Sequence, residues 1–135
     1  MRKKRGSQAV ELALLLPILV GLTSGIIDYG WYFYIQNQFS QVVKDSARSS
    51  VTLDHQTSYL SPCQSFNQSL NAGMNHLGYS QQEFTISSQI VNDNSKRLLV
   101  EVSRTYQPPF GLITTPEFNK VKTVYRLEDQ NWEGC

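Results

Sequence analysis

Cys63 and Cys135 are the only thiols in this chain, and His55 and His76 are its only imidazoles. Glu11 is a carboxylate set at the edge of an uncharged run. Cysteines and histidines this dispersed do not build a zinc site, whose ligands come in close-spaced pairs. Asp54 beside His55 is a weak pair, and both histidines read as surface residues. No serine, cysteine or carboxylate pair is spaced as a nucleophile with its base, and no glycine-rich loop is present to cradle a phosphate. Neither catalysis, a cofactor, a metal nor a small-molecule substrate is expected. Lys120, Lys122 and Arg126 share strand parity, which reads as a solvated strand face. Glu11 is different, because burying a lone carboxylate beside hydrocarbon costs several kcal/mol. It either sits at a membrane interface or has a partner.

The elements around these residues divide the chain. With 135 residues there is room for one small core. Twelve Lys and Arg against eleven Asp and Glu give a net charge of +1, which excludes the basic excess of a dedicated nucleic-acid binder. Four of the positives are consecutive, Arg2, Lys3, Lys4 and Arg5, so the remainder is net −3. Behind them Leu12 to Ile27 runs sixteen residues without a charge, about 24 Å as a helix, and Ala9 and Val10 bring it near a thin bilayer. Tyr29, Trp31, Tyr32, Phe33 and Tyr34 follow, as expected where a helix leaves hydrocarbon for headgroups. Positive charge on one side only predicts a cytoplasmic N-terminus and an exported remainder.

Apolar residues continue at helical spacing through Ile35, Phe39, Val42, Val43 and Ala47, which predicts one helix from about Gln8 to Ser49, apolar all round and then amphipathic. Pro17 removes one backbone donor inside it and predicts a slight bend. Val51 to Leu60 reads as a loop. Ser61, Pro62 and Gln64 form a capping start to a short helix, with Phe66, Leu70, Met74 and Leu77 on one face and Gly78 as its stop. Phe84, Ile86 and Ile90 alternate with polar residues as a strand, Asn92 to Ser95 turn, and Leu98, Val100, Val102 and Tyr106 alternate back. Pro108, Pro109 and Pro116 bracket an irregular connection to a third strand, Val121 to Leu127. The expected class is α+β: a long N-terminal transmembrane and stalk helix, then a small head with a second short helix and a three-stranded antiparallel sheet.

The stretch Arg2 to Leu12, RKKRGSQAVEL, resembles the class III leader of the type IV pilin superfamily. Gln8-Ala9-Val10-Glu11-Leu12-Ala13-Leu14, Leu16-Pro17, Gly25-Ile26-Ile27-Asp28-Tyr29-Gly30 and Ser46-Ala47-Arg48 resemble, more closely, the TadE-type minor pilins of the tight-adherence (Tad/Flp) pilus. Leu12 stands where that family often has an aromatic residue. Ser7 is not the bulky apolar residue of common type IVa pilins. The resemblance implies cleavage by prepilin peptidase between Gly6 and Ser7, with Glu11 as fifth mature residue and the apolar helix kept for packing. It divides the chain into a leader (1–6), a transmembrane and amphipathic stalk (7–50) and an exported head (51–135). It implies a bacterial inner-membrane protein, single-pass, with other pilin subunits and prepilin peptidase as partners and a part in adhesion. The head would be periplasmic, and at the cell surface after assembly.

A pseudopilin of a type II secretion system would share the same chemistry. An ordinary Sec-exported periplasmic binding protein, cut near Thr23-Ser24-Gly25, is the alternative of another class; Glu11 and Pro17 fit its signal segment poorly. Gly21 and Gly25 share a helix face and allow close approach of a second helix in lipid, or are ordinary membrane glycines. Asp28 falls about 26 Å beyond Glu11, where a solvated boundary charge is expected, subunit pairing being the other possibility. Cys63 and Cys135 lie in the exported part, where thiols oxidise. A bond between them staples a small head; two free thiols are the alternative.

Overall fold

The computed structural model describes residues 4–54, 56–112 and 114–135, with the side chains of residues 4–7 and 118 also outside the description. Arg2, Lys3 and His55 of the sequence reading lie outside the described residues.

Helix α1 (Lys4–Val51) is a single run of 48 residues, about 72 Å long. It starts four residues before the expected Gln8 and ends two after Ser49. The later end has a packing reason, since Val51 is buried in the core. Pro17 lies inside the helix. Hydroxyls just beyond it turn back onto the backbone: Thr23 Oγ1 donates to the Leu19 carbonyl at 2.9 Å and Ser24 Oγ to the Val20 carbonyl at 2.8 Å, which hides two polar groups in an apolar stretch. In its second half Ile35, Phe39, Val43, Ala47 and Val51 form one buried stripe. A spacing of three or four residues keeps them on one face.

Helix α2 (Pro62–His76) begins on the expected capping box: Gln64 N–H donates to Ser61 Oγ at 3.2 Å and Ser61 N–H to Gln64 Oε1 at 3.3 Å. Pro62 at the first turn gives up a donor that no helix carbonyl would have used. The helix ends in a Schellman motif, Tyr79 N–H to the Met74 carbonyl and Gly78 N–H to the Asn75 carbonyl, both 3.0 Å. Gly78 supplies the φ of +82° that this closure requires. Cys63, Phe66, Leu70 and Met74 face inward.

Strands β1 (Phe84–Asn92), β2 (Lys96–Thr105) and β3 (Phe118–Arg126) make an antiparallel sheet in sequence order. Ile86 pairs with Val102 and Val102 with Val121, while Ile90 pairs with Leu98 and Leu98 with Tyr125. That register puts Ile86, Ile90, Leu98, Val102, Val121 and Tyr125 on one face, the one covered by α1 and α2. Leu98, Val100 and Val102, on the central strand, are fully buried. The opposite face carries Lys120, Lys122 and Arg126, all exposed. On it Lys120 Nζ lies 2.6 Å from Glu101 Oε1, and that hydrogen bond holds the Glu101 carboxyl below its ordinary value.

Beyond β3 the chain folds back as a clasp. Leu127 is buried, and Glu128 N–H donates to the Val51 carbonyl at 3.0 Å. Lys96 N–H donates to Gln130 Oε1 at 2.6 Å, and Trp132 Nε1 donates to the Leu53 carbonyl at 3.4 Å. The final residue, Cys135, is bonded to Cys63 with a Cα separation of 5.3 Å.

The crossing of α1 and α2 depends on a residue the sequence does not announce. A Cβ added at Gly73 would stand 2.6 Å from Val42 Cγ1, closer than side-chain atoms pack. Gly73→Val is therefore expected to destabilise the fold by about 1–3 kcal/mol through overpacking. Val42→Ala should recover part of that in the double variant, because the two sites touch. Thermal unfolding of the detergent-solubilised full chain checks both; an unchanged midpoint for Gly73→Val would contradict the tight crossing.

Candidate functional site

The candidate site is α1 itself, in two parts. Its first half stands clear of the head, with Val10, Leu12, Leu14, Leu15, Leu16, Ile18, Leu19, Val20, Leu22, Ile26 and Ile27 all exposed. The helix is long and apolar enough to cross a membrane. Gly6 and Ser7 lie within the helical run, after Lys4 and Arg5. Glu11 is exposed among the leucines, and no ion pair involves it among the described residues. Gly21 is half-buried, with nothing within 4 Å of where a Cβ would stand. That leaves backbone open to a neighbouring helix at this level.

The second part is a collar where the head reaches down to the helix. Asp28 is not the solvated boundary charge that its position suggests; it is fully buried. The connection between β2 and β3 covers it. Phe110 N–H donates to Asp28 Oδ1 at 3.0 Å, and the Tyr106 hydroxyl donates to the Asp28 carbonyl at 3.1 Å. Burial, and next the neighbouring Asp28 carboxylate, push the Tyr106 hydroxyl above the usual phenol range, so it remains a donor. One turn toward the N-terminus Ser24 and Gly25 are buried as well. Tyr29 Oη donates to the Thr114 carbonyl at 2.9 Å, and the Tyr32 and Tyr106 rings meet edge to face at 5.2 Å. Further along, buried Asn119 donates through Nδ2 to Gln36 Oε1 at 2.6 Å, and Gln36 Nε2 donates to the Lys120 carbonyl at 3.2 Å.

Of the residues singled out from sequence, Gly25 and Asp28 thus come together under the collar, while Glu11 and Gly21 stay outside it. Cys63 and Cys135 form a separate staple, tying the first turn of α2 to the last residue. Tyr106, Phe110, Asn119 and Gln36 were not anticipated as a group. Their one sequence signal is the proline-bracketed connection, whose length leaves it free to pack on something other than the sheet.

Beside the collar an open groove is lined by Trp31, Ile35, Gln82, Glu83, Arg104 and Tyr106. The Arg104 guanidinium lies 3.9 Å from the Tyr79 ring centroid, with Nη2 3.8 Å from Glu83 Oε2. Stacking and ion pairing hold it as a structural cation. Among the described residues no group of His, Cys, Asp and Glu is placed to hold a metal ion. The geometry offers a packing surface and a helix long and apolar enough to cross a membrane.

A family model described as TadE-like protein matches residues 6–48. Over these residues, about a third of the chain, the sequence is similar to that family. The likeness is to a Tad pilus-associated family of structural, non-enzymatic type. No curated protein and no solved structure matches the chain. The TadE-like segment holds Gly6, Glu11, Gly21, Gly25 and Asp28 and takes in most of α1. Both helix α2 and the sheet lie outside it. The collar is where the two meet, since Asp28 lies inside the matched segment and Phe110 outside it.

Proposed function

We propose that this chain is a minor pilin of a Tad-type pilus: a membrane-anchored structural subunit that helps to initiate assembly or joins the tip or base complex. It is inserted with its N-terminus in the cytoplasm and its head on the periplasmic side. Prepilin peptidase cleaves between Gly6 and Ser7 and leaves the apolar half of α1 as a stalk that packs among the stalks of other subunits. The observation that carries this reading is Glu11, an exposed carboxylate at the edge of the uncharged run of α1, five residues beyond Gly6. A mere anchor has no use for it. The TadE-like match over the same stretch supports the reading.

Cleavage tests it. Chain recovered from cells with an active prepilin peptidase is expected to begin at Ser7 by intact mass and N-terminal sequencing. A mature start at Ile26 would identify an ordinary signal peptide, and an intact Met1 form would remove the chain from the processed pilins.

A further inference from the structure

The connection between β2 and β3 holds large apolar side chains in the open. Phe110 is 56% exposed and Leu112 65%. From Thr105 to Pro116 no residue is charged. Such a tip is costly to leave in water, and small proteins seldom keep one without a use. Nor is the tip slack. Tyr106 N–H closes the base of the connection on the Glu117 carbonyl at 2.7 Å. Pro108 and Pro109 have fixed φ, and Gly111 turns the tip at φ +64°. The hydrogen bonds from Phe110 N–H to Asp28 and from Tyr29 to Thr114 then pin both sides of the tip to α1.

Those bonds also fix its height. A span beginning beside the basic residues, near Gln8, reaches the far edge of a hydrocarbon layer of about 30 Å close to Asp28. Tyr29, Trp31, Phe33 and Tyr34 are exposed around the helix from that level upward, as a girdle of aromatics at a membrane surface is. Phe110 is therefore held beside the point where α1 leaves the membrane.

We propose that this connection is a second membrane contact, with Phe110 and Leu112 seated in the headgroup layer of the leaflet from which α1 emerges. The inference rests on α1 crossing the membrane, and not on the pilus reading. Aromatic and aliphatic side chains on a neutral, hydrogen-bonded loop are what such a layer accepts. The carboxylate nearest the tip, Asp28, is sealed under the loop and does not face the lipid. Two points of attachment, helix and foot, set the angle of the head on the bilayer, which one flexible stem would leave free.

The test uses the full chain with its disulfide intact, reconstituted in phosphatidylethanolamine–phosphatidylglycerol vesicles. Single cysteines, Leu112→Cys, Ile26→Cys and Tyr59→Cys, carry an environment-sensitive fluorophore, and quenching is read with nitroxide lipids labelled near the headgroup or near the chain end. Ile26 lies in the span; Tyr59 is fully exposed and follows the C-terminal end of α1, an end about 35 Å along the axis from Asp28. The label at Leu112 is expected to lose most of its emission to the headgroup nitroxide and little to the deep one. The label at Tyr59 should be unaffected by either. If Leu112 behaves like Tyr59 while Ile26 is quenched, the span stands and the foot is overturned. A blue-shifted but unquenched Leu112 label would place it against protein, a second copy or another subunit, and would equally overturn the lipid contact. If Ile26 is also unquenched, the membrane span itself is wrong and the foot falls with it.

Discussion

Glu11→Ala is expected to insert and to be cleaved at Gly6 almost normally, yet to fail to enter the pilus or its initiating complex. For a simple anchor the opposite holds, because removing a carboxylate from the hydrocarbon edge makes insertion easier. Processing changes the sign. In the proposed minor pilin, cleavage creates an ammonium at Ser7, one helical turn from Glu11, and both charges must then enter an apolar bundle of stalks. Paired between neighbouring subunits they satisfy each other and fix the axial register. Loss of one partner leaves the other buried and unpaired, at about 3–5 kcal/mol, a factor of more than a hundred in assembly. Glu11→Asp should be intermediate, since the shorter arm loosens the contact. Co-purification with the other pilins after crosslinking, alongside surface piliation, measures this. Normal incorporation of Glu11→Ala would reduce Glu11 to an interfacial charge and remove the main support for the minor-pilin proposal.

The elements of this fold could be read from sequence wherever local chemistry sets them. Ser61, Pro62 and Gln64 specify the start of α2 by themselves, and Gly78 its end. Alternation in Leu98, Val100 and Val102 specifies a half-buried strand and its inner face. The stripe Ile35, Phe39, Val43 and Ala47 names the face of α1 that meets the sheet. What could not be read depends on contacts between distant residues. Asp28 looks like a boundary charge because nothing within ten residues can cover it, and the group that does, Phe110 N–H, is 82 residues away. Gly73 looks like a weak spot in a short helix, because the side chain that requires it, Val42, lies on another helix. The clasp formed by Gln130 and Trp132 leaves no periodic signal, because two side chains make its hydrogen bonds to the backbone of Lys96, Leu127 and Leu53.

The staple between Cys63 and Cys135 carries the largest stability effect expected in the head. It closes a loop of 72 residues, for which the chain-entropy model gives about 4 kcal/mol of stabilisation. In a cooperative unit of this size 1 kcal/mol moves the midpoint by roughly 4–8 °C, so the loss should amount to roughly 15–30 °C. The choice of variant matters. Cys63 is 4% exposed and belongs to the buried core cluster, so Cys63→Ser adds the cost of a buried hydroxyl to the loss of the crosslink. Cys135 is exposed, and Cys135→Ser removes the crosslink alone. Cys135→Ser and the reduced, alkylated full chain should therefore unfold at similar temperatures, with Cys63→Ser lower than either. The hydrogen bonds of Gln130 and Trp132 should keep the tail docked below the midpoint, so that unfolding stays a single transition rather than a fraying of the end. Thermal scans in detergent under oxidising and reducing conditions measure this, with hydrogen exchange at Lys96 and Glu128 reporting on the clasp. A shift of less than about 1 kcal/mol would mean that the clasp and the α1–α2 crossing already constrain the head without the bond.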